Sequence, residues 1–180
     1  MGKLKDKASK ATFRFRDIDI VLNNEALGRR DDLAEGLLGP VDPAAQDDSR
    51  LALPPEGSDQ ADEIKARLDE YEKAAVDSII TLRLFALPAE VWNRFVAAHP
   101  PREGNTFDTR LGYNAESITR AAVEAGAQLL DGEELEKIDA DDWAAFWPKI
   151  TGGTYDRLTE AVRYLNEATG WAGVLGLKKG

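Results

Sequence analysis

The chain contains no cysteine, one histidine and one methionine. Without thiols, disulfide frameworks, zinc knuckles, iron–sulfur centres and thiol catalysis are excluded. With His99 as the single imidazole, paired-His zinc sites go too, and any Ser-His-Asp chemistry has to run through that residue. No stretch approaches the roughly 20 apolar residues of a membrane span, and the basic N-terminus lacks the apolar run of a signal peptide. Cations are the minority charge: 23 Lys and Arg face 33 Asp and Glu, for a formal charge of −10. Such a chain is repelled by nucleic-acid phosphates and anionic membrane surfaces, so neither is expected as a partner. What is present is globular in kind. The 180 residues are 43 % hydrophobic and 31 % charged, enough for one domain with a sizeable core.

The charge is uneven. Residues 1–16 carry Lys3, Lys5, Lys7, Lys10, Arg14 and Arg16 against Asp6 alone. With Phe13, Phe15, Ile18 and Ile20 they make a basic N-terminal arm and strand over 1–22. Phe13 and Phe15 share one face of an extended strand, whereas Ile18 and Ile20 fall on the opposite parity, which predicts a bulge or turn near Asp17. Residues 23–57 hold Pro40, Pro43, Pro54 and Pro55 with Gly28, Gly36, Gly39 and Gly57, the composition of a flexible or partner-dependent linker, with a short helix over 27–38 as its one candidate element. From 58 to 170 the pattern is that of a helical core domain. Ser58 is a candidate N-cap, and Ile64, Leu68, Tyr71 and Ala75 form one helical stripe. Glu63–Arg67 and Asp69–Lys73 are favourable i,i+4 pairs. Residues 79–86 alternate as a strand that can pair with 12–20. A helix starting at Pro88 presents Val91, Trp92, Phe95 and Val96. A polar loop spans 100–113. Asn114 caps a helix predicted to reach about 130, with Ile118, Ala122, Ala125 and Leu129 on one face. A helical turn is expected over 133–138, and a short helix capped by Asp139 or Asp141 ends at Pro148. Thr154 caps a last helix bearing Leu158, Ala161, Val162 and Leu165. Residues 171–180 are an apolar and basic tail. The expected fold is mainly α with a small antiparallel sheet: an α+β arrangement, compact and helical, with a flexible arm and linker.

No catalytic constellation emerges. Asp139, Asp141 and Asp142 resemble the start of a calcium loop but lack its glycine and distal glutamate, so helix capping is the better reading. Gly152-Gly153-Thr154 lacks the spacing of a phosphate loop. His99 stands beside two prolines at a helix end, where an imidazole favours the dipole, and no nucleophile or orienting acid is indicated locally. No enzyme activity, cofactor, metal or nucleotide is therefore expected. The aromatics are more informative. Trp143, Phe146 and Trp147 crowd barely two turns, and Trp171 lies in the tail. They suit either core packing or a partner-binding surface, where Trp is over-represented.

The order of signals over 79–169 is distinctive. I-T-L-R-L-F-A-L-P leads into V-W-N-R-F-V-A-A-H-P-P-R-E-G-N, then a loop ending L-G-Y-N, two helices, D-D-W-A-A-F-W and a final helix ending Y-L-N. It resembles the tail assembly chaperones of long-tailed phages of actinobacteria. The F-R-F-R strand and the acidic helix after 58 fit loosely, and 23–57 not at all. The resemblance implies a non-enzymatic protein made in the infected cell, cytoplasmic and absent from the mature virion. It would bind and solubilise the tape-measure protein and promote polymerisation of the tail tube protein, with self-association as a further expectation. The partner-binding set expected is Trp143, Phe146, Trp147 and Trp171. Such chaperones are often extended by ribosomal frameshifting, and Lys178, Lys179 and Gly180 are compatible with an A-rich slippery stretch. The rival reading is a regulatory or adaptor module of a phage or bacterium that uses the same helices for another partner.

Overall fold

The structure is a computed structural model, and residues 3–9, 12–38 and 59–167 are described. In chain order the elements are α1 (Lys3–Ala8), β1 (Phe15–Val21), α2 (Asn24–Leu38), α3 (Asp59–Val76), β2 (Ile79–Phe85), α4 (Ala89–Ala98), α5 (Thr106–Leu111), α6 (Ala115–Gly126), β3 (Ala127–Asp131), β4 (Glu134–Glu136), α7 (Ala140–Phe146), a 3-10 turn Trp147–Lys149, and α8 (Gly152–Glu167). The fold is mainly helical, with one small antiparallel sheet in the order β1-β2-β3-β4. The chain divides into two units, residues 20–80 and the remainder.

In the unit spanning 20–80, α2 and α3 pack on each other. The helix within the expected linker starts earlier than 27, because the Asn23 side chain accepts from Ala26 N at 3.1 Å and caps α2. Residues 39–57 and Ser58 lie outside the described residues. On α3, Ile64, Leu68 and Tyr71 are half-buried and Ala75 is buried, as the stripe predicts. Arg67 pairs with Glu63 at 2.9 Å, while Lys73 bonds Asp77 rather than Asp69.

In the other unit, β1 and β2 run antiparallel. Ala86 N donates to Arg14 O at 2.8 Å, Arg83 to Asp17 at 2.7 Å, and Thr81 to Asp19 at 2.7 Å, all in one register. The bulge expected near Asp17 is therefore absent. The parity conflict is resolved by exposure: Ile18 is buried, whereas Phe13 and Phe15 stay more than half exposed on the other face. There Phe15 meets Phe85 at 5.8 Å and carries the Arg83 guanidinium 4.3 Å above its ring.

The helix expected to run to about 130 stops at Gly126. A Cβ on Gly126 would lie 3.0 Å from Phe85 O and 3.2 Å from Leu87 Cδ2, so a larger residue would have to push strand or side chain back by a few tenths of an ångström, and glycine allows the close approach of helix to strand. Ala127 is already extended, and 127–131 pair with β2, Leu84 opposite Ala127 and Leu82 opposite Leu129. The expected turn over 133–138 is instead β4, with Asp131 opposite Glu134. The two-residue loop Gly132-Glu133 is a hairpin connection, and Gly132 takes the positive φ of 60° that its first position requires.

The core of this unit gathers Leu82 and Leu84 from β2, Trp92 from α4, Ile118, Ala122 and Val123 from α6, and Leu158, Ala161, Val162 and Leu165 from α8. α6 packs on α4 and on α8. Burying each Leu or Val side chain contributes roughly 1.5–3 kcal/mol. The α8 stripe matches its sequence pattern. On α6 the pattern is shifted: Ala125 is exposed, and Thr119 is buried, with its hydroxyl donating to Ala115 O at 2.7 Å.

Candidate functional site

Two neighbouring assemblies hold most of the polar chemistry of the unit outside 20–80. The first is the corner linking α4, α5 and α6. The segment expected as a polar loop over 100–113 folds around α5, whose N-cap Asn105 accepts from Phe107 N and Asp108 N, each at 3.0 Å. Asn114 in turn caps α6, accepting from Glu116 N at 3.1 Å and Ser117 N at 3.2 Å. Between the caps lies Asp108, fully buried. Its carboxylate accepts from Arg102 Nε at 2.6 Å, from Arg102 Nη2 and Arg102 N at 3.2 Å, and from Ala115 N at 3.3 Å. The hydrogen bond from the Arg102 side chain holds the Asp108 carboxyl below its ordinary value, against the opposing effect of burial.

The corner is tied to its surroundings by backbone and rings. Asn114 N donates to His99 O at 2.8 Å, and Trp92 meets Tyr113 edge-on at 5.7 Å. The Tyr113 hydroxyl donates to Glu167, and its phenol is pushed up first by burial and then by that carboxylate. His99 occupies the C-cap of α4, and its Nδ1 lies 2.9 Å from Ser117 Oγ. A nucleophilic serine would need a base that a third group orients. Among the described residues no carboxylate meets the other nitrogen of His99, so the contact joins the end of α4 to the first turn of α6.

The second assembly is a cleft of about 610 Å³ lined by Arg102, Asn114, Glu116, Ser117, Arg120, Trp147, Ile150, Thr151, Gly152 and Tyr155. One wall comes from the aromatic cluster seen in the sequence. Asp139 caps α7 by accepting from Asp142 N at 2.9 Å, and the Asp142 side chain accepts from Asp139 N at 3.1 Å, a reciprocal capping box. That fixes α7 so that Trp143 and Phe146 point into the core, 6 % and 8 % exposed. Trp147 falls where Pro148 converts the helix to a 3-10 turn, and it is half-buried. Its ring stacks on Trp143 at 5.8 Å, meets Phe146 at 5.2 Å and faces Tyr155 at 5.9 Å.

Polar groups frame this aromatic edge. Trp147 Nε1 and Arg120 Nε both donate to Glu124 Oε1 at 2.8 Å, and the Arg120 guanidinium lies 5.4 Å from the Trp147 ring. Arg102 reaches from the corner to Glu116 at 2.7 Å. The Tyr155 hydroxyl donates to Glu116 O, and its phenol is pushed up by burial first and by Glu116 second. The cap of α8 is Thr151 rather than Thr154: its hydroxyl accepts from Thr154 N at 3.3 Å.

No family model, curated protein or solved structure matches the chain. The site therefore stands on its own geometry.

The structure brings Trp143, Phe146 and Trp147 together. It buries the first two and leaves the third as the member that reaches the cleft. Trp171, Lys178, Lys179 and Gly180 lie outside the described residues. Sequence reasoning missed Arg102, Glu116, Arg120, Glu124 and Tyr155. The i,i+4 spacing of Arg120 and Glu124 was a usable signal. The closure of Arg102 on Asp108 and Glu116 depends on tertiary geometry and left none. Asp139 is the cap of α7 and Asp141 and Asp142 are its first-turn acids, and no group of three or more His, Asp or Glu among the described residues could hold a metal ion. Among those residues no helix is long and apolar enough to cross a membrane.

Proposed function

We propose that this chain is a non-enzymatic tail assembly chaperone: it binds and solubilises the tape-measure protein and promotes polymerisation of the tail tube protein around it. It works in the cytoplasm of the infected cell and is left out of the mature virion. The reading rests on the resemblance over 79–169. The structural observation that carries it is the cleft at Trp147, where a half-exposed indole, Tyr155 and Ile150 offer apolar surface inside a polar rim. That is the chemistry of a seat for an apolar side chain on an amphipathic helix. The acidic body keeps a client-loaded carrier in solution.

The test is coexpression with a tape-measure protein, scored by soluble yield and co-purification. Wild type raises both. Trp147→Ala weakens capture by roughly 30-fold, the equivalent of an aromatic anchor worth about 2 kcal/mol, while the circular-dichroism spectrum keeps its helical signal. Unchanged capture by Trp147→Ala removes the cleft from the client site. Absence of any soluble complex with wild type removes the chaperone reading.

A further inference from the structure

A second, smaller pocket of about 350 Å³ lies at the C-terminal end of α6. Phe85, Leu87 and Pro88 at the end of β2, Gly126, and Ile138 beyond β4 give it apolar walls. The walls are held in place: Leu87 N donates to the Asn166 side chain at 2.8 Å, and Gly126 allows α6 to come close to Phe85 O and Leu87 Cδ2. The volume is at the low end for ligand sites, the scale of one large side chain. This pocket adjoins the Trp147 cleft. Glu116, Arg120 and Glu124 stand four residues apart on one ridge of α6. The first two line the cleft and the third lines the pocket. Glu124 divides them, because its Oε1 also accepts from Trp147 Nε1 at 2.8 Å.

The spacing selects what can fill both. The cleft takes positions 116, 117 and 120 of α6 and the pocket takes 124, 125 and 126, so their centres are about seven residues, or about 10 Å, apart at 1.5 Å per residue. A helix laid along α6 covers that distance in two turns and presents residues i and i+7 on one face. An extended strand fits poorly: its same-face residues recur at about 7 and 13 Å. Charge adds a second constraint. Arg102 and Arg120 are matched by Asp108, Glu116 and Glu124. Lys137, exposed in the lining of the pocket, makes no ion pair among the described residues. In a chain of formal charge −10, an unmatched cation beside an apolar pocket favours a carboxylate on whatever enters.

We propose that the cleft and the pocket form one docking groove for an amphipathic helix that places apolar residues seven apart in the two cavities and sets a carboxylate near Lys137. That the helix belongs to a tape-measure protein rests on the chaperone reading; the groove itself does not.

The test uses the full chain and two synthetic helical peptides of about 20 residues with identical composition. The first carries Leu at i and i+7, with Glu beside the second Leu. In the control the second Leu moves to i+5, about 140° round the helix from the first. Fluorescence anisotropy of the labelled peptides reads affinity. Wild type binds the first peptide about ten-fold more tightly than the control, the usual scale for one apolar anchor. Ala125→Gln combined with Ile138→Asn crowds the mouth of the pocket and strips one apolar wall, at an exposed and a half-buried position, and brings the first peptide down to the control while circular dichroism stays helical. Lys137→Glu, at an exposed position, weakens the first peptide several-fold, and exchanging the peptide's Glu for Lys restores it. Equal affinity of wild type for both peptides overturns the proposal, and so does a preference that survives the double variant. Lys137→Glu without effect overturns the charge assignment. Neither peptide contains client sequence, so the two readings fail separately. A groove that passes while wild type captures no tape-measure protein removes the chaperone reading alone. Capture of a tape-measure protein that the double variant leaves intact removes the groove alone.

Discussion

The corner around Asp108 and the cleft around Trp147 share Arg102, yet they are built on opposite rules. In the corner the matches are at short range, and several are to backbone: Asp108 to Ala115 N, Asn114 to Ser117 N, His99 O to Asn114 N. In the cleft the matches run between long, exposed side chains, Arg120 to Glu124 and Arg102 to Glu116, and aromatic edges stay open to solvent. A buried carboxylate with charged and backbone donors fixes geometry, whereas exposed ion pairs contribute little to stability and can rearrange. The difference has a consequence for the sequence motif. The block W-N-R-F-V-A-A-H-P-P-R followed by L-G-Y-N, the most specific part of the resemblance, supplies Trp92, His99, Arg102, Tyr113 and Asn114 to the corner. It is chiefly an architectural device. The candidate binding surface is supplied mostly by residues outside it.

The sharpest way to break this contrast is to remove the buried carboxylate. Asp108→Ala removes the buried acceptor of Arg102 Nε, Arg102 N and Ala115 N, while Arg102 Nη1 keeps Glu116; a buried donor left without its acceptor costs more than a lost exposed pair. We expect the melting temperature to fall by roughly 10 °C, read by calorimetry. A fall of only one or two degrees would show that the corner is no more specified than the cleft.

The second expectation concerns acid. A carboxyl held low in the folded state contributes stability that is present above its unfolded pKa and lost as pH drops through the folded value. Asp108, held low by Arg102, and Asp17, held low by Arg83, both act in this direction. The melting temperature should therefore decline below about pH 5, and Asp108→Asn should flatten that decline. An equally steep acid limb in Asp108→Asn would remove the corner as its source.

At the alkaline end the sign reverses. A phenol pushed up in the folded state keeps its proton where the unfolded chain has lost it, so its contribution is lost as pH rises past the ordinary tyrosine value of 10.0. Tyr113 in the corner and Tyr155 in the cleft both behave this way. Tyr155→Phe should remove part of the alkaline decline and leave the Tyr113 part. A limb unchanged in Tyr155→Phe would assign all of it to the corner.

Much of the fold was legible in the sequence because single-element periodicity carried it. The α8 stripe names its buried residues correctly, the alternation over 79–86 is a strand, and Asp139 is the cap of α7. The misreadings fall where one element meets another. Leu129 fits a helical stripe by spacing, but Gly126 admits β2 and turns 127–131 into its partner. Asp131-Gly132, just past the expected helix end at about 130, is the start of a hairpin. The pair Trp143 and Trp147 shows the same limit for the site: four residues apart on one helical stretch, they are alike in sequence, and only Pro148 and the walls supplied by α6 and α8 bury one and leave the other at the cleft.

The smallest expected effect tests how the cleft holds Trp147. Its indole is placed by stacking on Trp143 and by the hydrogen bond to Glu124, which Arg120 shares. Glu124→Gln keeps an acceptor for the indole but removes the ion pair. Arg120→Ala removes the cation over the ring while sparing the indole hydrogen bond. Exposed pairs of this type are worth about 0–1 kcal/mol, so neither substitution should move the melting temperature by more than roughly 2–4 °C. The informative readout is the indole itself. If stacking and the Glu124 acceptor set its position, Glu124→Gln leaves acrylamide quenching of the tryptophan fluorescence near the wild-type value, and Arg120→Ala raises it because the ring loses its cover. A double variant that destabilises the chain as strongly as Asp108→Ala would mean that these polar groups lock the cleft as tightly as the corner, and the distinction between a fixed frame and an adaptable surface would fail.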